Sequence, residues 1–390
     1  MPWSVSTPMS QRREFIDDVA RGLYSMSELC IRFEISRKTG YKWLTRYEAG
    51  GLDALLDQSR RPLHCPHAMS EEMAELFLAT RRAHPSWGPR KLVAYLVRKH
   101  DGSAWPAVST VGELLKRHGL VKQRRRRHAL CPHPGRPTTA MDEPNAVWTT
   151  DFKGEFRLGT GNYCYPLTIL DGHSRYLLAC KALDSTRGIG ARKVFQRLFQ
   201  SHGLPRHIRS DNGSPFATTG LARLSRLSVW WIKLGITPEL IEPSSPQQNG
   251  AHERMHKTLK AEATRPPSPT QRAQQSRFDA FCREYNTERP HEALGQKPPA
   301  LLYTPSPRPY PRRLEEPEYP AHFENRKVGS NGCIRWRGKY LVVSHVLSGE
   351  HIALEEVNDG IWSVHFGPVL LGRMDEHDRR IRGPHTRETR

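Results

Sequence analysis

Apolar positions in the first part of the chain recur with the period of a helix. Phe15, Ile16 and Val19 form one stripe, Ser27–Phe33 continues it, and RKTGYKWLTRYEA follows between Ser36 and the pair Gly50-Gly51. Serine suits a helix start because its hydroxyl accepts from an otherwise orphaned backbone N–H, and glycine suits the exit because it adopts left-handed backbone freely. Two short helices, a tight turn and a helix beginning Arg37, Lys38, Thr39 and carrying Lys42 and Arg46 predict a helix-turn-helix whose second helix enters the major groove. Residues 70–122 repeat the theme: Ser70 caps a helix to Ala83, Pro89 opens one through His100, and Ser109 caps a segment that Gly119 stops. A second helix-turn-helix or winged-helix-like region is expected there.

Near residue 146 the period shortens. Val147–Phe156 alternates and is rich in β-branched and aromatic residues, LGTGN at 158–162 makes a hairpin turn, and Tyr163–Leu170 and Arg175–Leu183 supply two further strands around Asp171-Gly172. A helix over Gly188–His202, a short strand ending RHIRSDNG, a helical stretch through Leu234, a strand over Pro238–Ile241 and a helix from Gln248 to Glu262 complete a mixed α/β sheet with an antiparallel start. Over 323–375, CIRWRGKYLVV, HIALEEV and IWSVHFGPVLLGRM alternate with SGE, NDG and Gly-Pro turns, which predicts a small antiparallel β-barrel.

A chain of 390 residues is expected to hold several domains. Stretches rich in proline and charge, RRPLHCP at 60–66, residues 123–144 with Arg124–Arg127, and residues 303–320, read as connectors because they bury too little to form a core. The expected division is helix-turn-helix 1–60, a second such region 61–122, a basic Pro-rich linker 123–145, an α/β core with its following helix 146–300, a Pro-rich linker 301–322 and a β-barrel 323–380. The net charge of +20 falls mainly on the helical segments and the α/β core, which favours a polyanion, nucleic acid above all. No apolar run approaches the roughly 18 residues of a spanning helix, and MPWSVSTPMSQRREF lacks a secretory pattern, so a cytoplasmic, nucleoid-associated chain without membrane partners is expected. Seven cysteines without a CxxC pair argue against a disulfide framework or a zinc ribbon; His64, Cys65, His67, Cys131 and His133 are the one alternative metal set, and they lack zinc-finger spacing.

Three acids occupy informative places on the α/β pattern. Asp151 lies within the first strand, Asp211 at the end of the strand RHIRS, and Glu253 near the start of the last helix. Aspartate is a poor strand former and its charge is costly to bury, so a compensating cation explains the placement. Carboxylates converging from strands and a helix make an oxygen-rich magnesium site, and two such ions can serve in-line phosphoryl transfer. On the last helix Glu253, Lys257 and Lys260 share one stripe while Met255 and Leu259 share another; without its context Glu253–Lys257 would be an ordinary surface pair. Asp171, in Asp-Gly, is assigned to a turn, and His252 and His256 are read as neutral surface residues able to touch phosphate or orient a ligand. Ser210 and Ser214 lack a recognisable His–Asp set for covalent chemistry.

The motifs WTTDFKGEF around Asp151, RSDNGSPF around Asp211, PQQNGAHERMHKTLKAE around Glu253 and YNTERPHEALGQKPPA at 285–300 resemble those of DDE-type insertion-sequence transposases, whose core is similar to the retroviral integrase catalytic domain, an RNase H-like fold. The resemblance implies a multidomain chain: N-terminal all-α helix-turn-helix modules, an α/β RNase H-like core and a small C-terminal all-β barrel. It implies Asp151, Asp211 and Glu253 as catalytic triad and metal ligands, holding two magnesium ions for which manganese can substitute. It further implies binding to double-stranded DNA, both element ends and target, by a homo-oligomer on paired ends. Arg37, Lys38, Thr39, Lys42 and Arg46 are the candidate base- and phosphate-contacting residues of the reading helix; Asn249, Arg254, Lys257 and Lys260 are their counterparts beside the triad. The interval from Asp211 to Glu253 is longer than in retroviral integrases, and LARLSRLSVWWIKLG at 221–235 accounts for the excess. The implied activity is cleavage of the ends and joining of their 3′-hydroxyls to target DNA by two-metal-ion phosphoryl transfer. A DNA-binding regulator with an inactive core, and an RNase H-type nuclease or resolvase, are the alternatives; the nuclease leaves tandem reading heads unexplained.

Overall fold

The computed structural model describes residues 7–58, 69–100, 104–121, 139–242 and 246–383. The arginine run at 124–127 and the His/Cys set at 64–67 and 131–133 lie outside the described residues. The chain divides into two compact units, Met1–Ser70 and Glu71–Arg390.

In the first unit, helices α1 (Pro8–Arg21), α2 (Met26–Arg32) and α3 (Arg37–Gly50) start at the hydroxyls of Thr7, Ser25 and Ser36, each accepting from a first-turn N–H. Phe15, Ile16, Leu29, Cys30, Trp43 and Leu55 form the core. The turn between α2 and α3 is tight because Glu34 takes left-handed backbone, φ 53°, and Gly40 lets α3 approach: a Cβ there would lie 2.7 Å from Cys30 Sγ. Asp18, buried, is held by Arg21 at 3.2 Å and Arg32 at 3.1 Å. This is the expected helix-turn-helix.

The second unit opens with α4 (Glu71–Ala83), α5 (Pro89–Lys99) and α6 (Val108–Arg117), packed through Phe77, Leu92, Leu96, Val111 and Leu115. Ser109 does not cap α6; Ala107 precedes the helix without a side-chain cap and Ser109 falls in its first turn. Among the described residues this region carries no strand, so it has no wing.

The central sheet consists of β1 (Val147–Phe152), β2 (Phe156–Arg157), β3 (Tyr163–Asp171), β4 (Leu177–Leu183), then, after α7 (Gly188–His202), β5 (His207–Ser210), and, after α8 (Arg226–Lys233), β6 (Thr237–Leu240). Helices α9 (Gly250–Glu262) and α10 (Gln271–Thr287) follow. Strands run β4-β3-β1-β5-β6, antiparallel up to β1 and parallel beyond it, with β2 paired to the start of β3. Alternation sends Trp148, Leu167 and Ile169 towards α7 and α8, where Phe195, Phe199, Trp230 and Trp231 pack, and sends Leu170 and Cys180 towards α9 and α10, where Met255, Leu259 and Phe278 pack. Burying each such side chain is worth about 1.5–3 kcal/mol, so both faces of the sheet are strongly covered.

Helices α4 and α5 are docked on this core. Tyr95 Oη donates to Glu288 Oε2 at 3.2 Å, Arg98 donates to Glu288 O at 2.7 Å, and His84 meets Glu284 at 2.9 Å. The proline-rich stretch after α10 also departs from a free connector. Tyr303 stacks on Tyr176 at 4.3 Å, and the Arg308 guanidinium donates to the carbonyls of Pro205, Leu234 and Gly235. Prolines supply no backbone donors, so tyrosine rings and one arginine provide the attachment instead.

The remaining strands, β7 (Glu324–Lys327), β8 (Cys333–Trp336), β9 (Lys339–Val342), β10 (His351–Asn358), β11 (Ile361–Phe366), β12 (Val369–Asp375) and β13 (Arg380–Arg382), are antiparallel. They form a five-stranded sheet, β13-β12-β11-β10-β7, and a separate β8-β9 hairpin, in place of one closed ring of hydrogen bonds. Their core is shared with α8: Leu224, Val229 and Ile232 pack among Ile334, Trp336, Val364 and Phe366, and Lys233 pairs with Glu350 at 2.8 Å. The extra residues between Asp211 and Glu253 thus form a helix buried on both sides.

Candidate active site

β1 and β5 are parallel neighbours with Thr150 opposite Ser210. One residue further, Asp151 and Asp211 stand side by side at the carboxyl ends of adjacent strands. Burial first, and the Asp211 charge second, push the Asp151 carboxyl up to about 7. Burial also raises Asp211, against a lowering hydrogen bond from the Gly213 N–H. Gly213 has to be small: a Cβ there would lie 3.0 Å from Asp211 Oδ2. Asp211 Oδ1 is buried with no hydrogen-bond partner, an acceptor shielded from water and unsatisfied.

Glu253 sits in the first turn of α9, exposed, and its charge is a smaller cause of the Asp151 shift. The structure brings Asp151 and Asp211 together and Glu253 within electrostatic reach. Among the described residues no three acidic, histidine or cysteine side chains converge as a finished metal cluster. The donor set nevertheless fits hard divalent cations: it offers carboxylate oxygens, one of them orphaned, and an acid pair whose repulsion a cation would relieve.

Helix α9 is fixed at the depth of Asp151 by side chains assigned above to the surface. His252 is fully buried and His256 nearly so. His252 Nδ1 lies 2.9 Å from Thr149 Oγ1, and both histidine Nε2 atoms lie 2.7 Å from Thr168 Oγ1, which donates to Asp151 O at 3.0 Å. One arrangement satisfies every atom: both Nε2–H groups donate to Thr168 Oγ1 and Thr149 donates to His252 Nδ1. Burial pushes His256 down to about 3, so its 3.6 Å approach to Asp151 Oδ2 is that of a neutral ring and not an ion pair. His252, also lowered by burial, is neutral too. The sequence signal for this role was present: His252, Met255, His256 and Leu259 follow the i, i+3, i+4, i+7 spacing of a buried stripe. Hydrophobicity alone concealed it.

Asp171 is a turn residue, as expected, and is also buried. Its carboxylate accepts from Asn145 N at 2.7 Å, Ser174 N at 2.8 Å and Ser174 Oγ at 2.6 Å. It pairs with Trp148, well down β1 from Asp151.

The candidate DNA contacts divide by exposure. Arg37, Lys38 and Lys42 are exposed on α3; Thr39 bonds Ser36, and Arg46, half-buried, lies over Trp43 at 5.0 Å and donates to Gln58. Arg254, Lys257 and Lys260 are exposed on α9. Asn249 departs from them: it is buried at the start of α9, its Oδ1 unpaired, so it does not share their solvent face.

Family models described as Integrase core domain match residues 141–246 and 234–299; a Helix-turn-helix domain matches 11–62 and a Homeodomain-like domain 39–115. The chain is 24% identical over 248 residues to the insertion element IS407 uncharacterized 31.7 kDa protein of Burkholderia multivorans, covering 63% of this chain and 84% of that one. It is 32% identical over 185 residues to the insertion element IS476 uncharacterized 39.2 kDa protein of Xanthomonas euvesicatoria, covering 46% of this chain and only 51% of that one. Among solved structures, the HTLV-2 integrase catalytic core domain in complex with magnesium aligns at 14% identity and a TM-score of 0.33, over 41% of this chain and 97% of that one.

Proposed function

We propose that this chain, which belongs to the insertion-sequence transposases with an integrase-like core, cuts DNA at the ends of its own mobile element and joins the exposed 3′-hydroxyls to target DNA. The observation that carries the reading is the Asp151–Asp211 pair, two half-buried carboxyls on adjacent strand ends, one raised to about 7 and the other with an orphaned oxygen. Such a pair is unfavourable by itself and becomes favourable around positive charge.

Asp151, Asp211 and Glu253 would hold two divalent cations, magnesium or manganese, which supply Lewis-acid stabilisation of the attacking and leaving oxygens in phosphoryl transfer. The carboxylates stay unmodified, so no covalent enzyme intermediate is required. His252, His256 and Thr168 keep α9, and with it Glu253, in register with β1. The same site serves water as first nucleophile and a DNA hydroxyl as second. Exposed Arg37, Lys38 and Lys42 on α3 read the element end, while Arg254, Lys257 and Lys260 engage backbone near the site. The active form is a homo-oligomer on paired ends, because coordinated joining needs two termini together; it works on DNA in the cytoplasm.

The test is incubation of the full chain with labelled candidate element ends, in magnesium and in chelator. Magnesium-dependent nicking followed by joining is expected. Asp151→Asn and Asp211→Asn should each lose both steps by at least on the order of a thousandfold while end binding survives. Binding without metal-dependent cutting would instead select a regulator, and structure-specific cutting without joining a nuclease.

A further inference from the structure

A pocket of about 260 Å³ opens where α5, the β3–β4 turn, α9 and the segment after α10 meet. It is smaller than the roughly 300–1,000 Å³ of most small-molecule sites. Its wall is cationic: Lys91 from α5, Arg175 from the β3–β4 turn, Arg254 from α9 and Arg289 from the YNTERPHEA motif all line it. Arg289 is committed, bonded to Glu262 at 2.8 Å. Among the described residues, no ion pair joins Lys91, Arg175 or Arg254 to a carboxylate.

These cations are placed at a cost. Burial and then the Arg289 charge push the half-buried Lys91 ammonium down to about 8, against the pull of Glu262 and Glu292, and burial also lowers Arg175. Arg175 adopts left-handed backbone, φ 62°, where glycine or asparagine would sit with less strain. Turn geometry therefore does not account for arginine at that position. An anion of small volume, with oxygens on several sides, would satisfy all three side chains at once. Arg254 directly follows Glu253, so the pocket lies on the next face of the helix that carries the third acid.

We infer that this pocket seats a phosphodiester of the DNA strand led to the carboxylate site, joining the helical region 71–117 and the motif at 285–293 to strand positioning. The inference rests on the proposed DNA-processing function and deepens it: α4–α6 contribute to holding DNA through the α5 pocket wall.

The test uses the full chain in chelator and a labelled duplex of random sequence, so its outcome does not depend on metal chemistry, which Asp151→Asn cleavage assays address separately. Lys91→Met with Arg175→Gln should weaken binding by on the order of tenfold at low salt and flatten the plot of log affinity against log salt by about 0.9 per lost phosphate contact. The charge-keeping pair Lys91→Arg with Arg175→Lys should restore that slope. Thermal unfolding of the neutral double variant should occur no lower than wild type, because crowded cations have been removed. Inorganic phosphate at constant ionic strength should raise the unfolding midpoint of wild type and not of the neutral variant. An unchanged slope overturns the inference; an unchanged slope with phosphate still stabilising wild type alone assigns the pocket to free phosphate instead of DNA. Failure of the charge-keeping pair to restore the slope, or a lowered midpoint with normal binding, makes the cations structural and equally overturns it.

Discussion

Helices α3 and α9 both carry rows of basic residues, yet they are held in different ways. α3 starts at a serine hydroxyl that accepts from Thr39 N, buries only Gly40 and Trp43, and leaves Arg37, Lys38 and Lys42 in water. α9 starts at Asn249, whose side chain does not cap it, and buries His252, Met255, His256 and Leu259. The first helix is specified by local signals and a modest apolar contact. The second is specified by bonds to strands far away in sequence, with Thr168 as the hub. A helix that reads DNA can be set by its own ends and outer face, whereas a helix that delivers one carboxylate beside two others has to be placed to within a fraction of an ångström.

The sharpest way to break this contrast is Thr168→Val, which keeps the shape and removes the hydroxyl that both imidazoles share. Each orphaned buried donor costs about 1–3 kcal/mol, so urea denaturation should show a loss of several kcal/mol. Misplacing Glu253 should also lower cleavage by the folded fraction on the order of a hundredfold. Undiminished stability would mean that the histidines do not anchor α9.

A smaller effect is expected from Gly40→Ala. The new methyl would press on Cys30 Sγ and on Phe15, 3.1 Å away, and should cost about 1–3 kcal/mol in the unit 1–70 while leaving cleavage of pre-bound DNA intact. Wild-type thermal unfolding of that unit would show that α2 and α3 do not need close approach.

Ser36→Ala should have the least effect, about 1 kcal/mol, from loss of the α3 cap, with DNA affinity falling only as helix order falls. A loss as large as that of Thr168→Val would erase the distinction between a locally and a tertiarily specified helix. Asp171→Asn sharpens the comparison from the other side. Its carboxylate accepts three hydrogen bonds, so an amide nitrogen would face a donor, and stability should drop by about 1–3 kcal/mol. Metal-dependent cleavage by the folded fraction should persist, as measured by calorimetry and nicking on the same samples.

Much of the fold was legible because its signals are short-range. The caps at Ser25 and Ser36, the Pro89 helix start, the strands around the 158–162 turn and the helix Gly188–His202 follow from propensity, patterning and turn chemistry. The acids were legible as residues out of place in strands, and the family motifs named them. Less legible were features whose meaning depends on neighbours distant in sequence. The proline-rich stretch after Leu302 reads as a tether until Tyr303 meets Tyr176 and Arg308 finds three carbonyls. The β-strands from 324 onward alternate as a barrel would, but which edges close depends on pairing, and the pairing leaves β8-β9 as a hairpin outside the five-stranded sheet.

By itself the sequence determined the order of helical, mixed and all-β regions, the overall positive charge and the identity of the three acids, since period, composition and residue type are properties of short stretches. Only the tertiary structure decided that Asp151 and Asp211 share neighbouring strand ends, that His252 and His256 are interior bonds instead of surface groups, and that Lys91, Arg175 and Arg254 face one pocket. The reason is physical: burial and electrostatic shift depend on what lies within a few ångströms in space, and strand register and helix docking bring together residues that the chain keeps far apart.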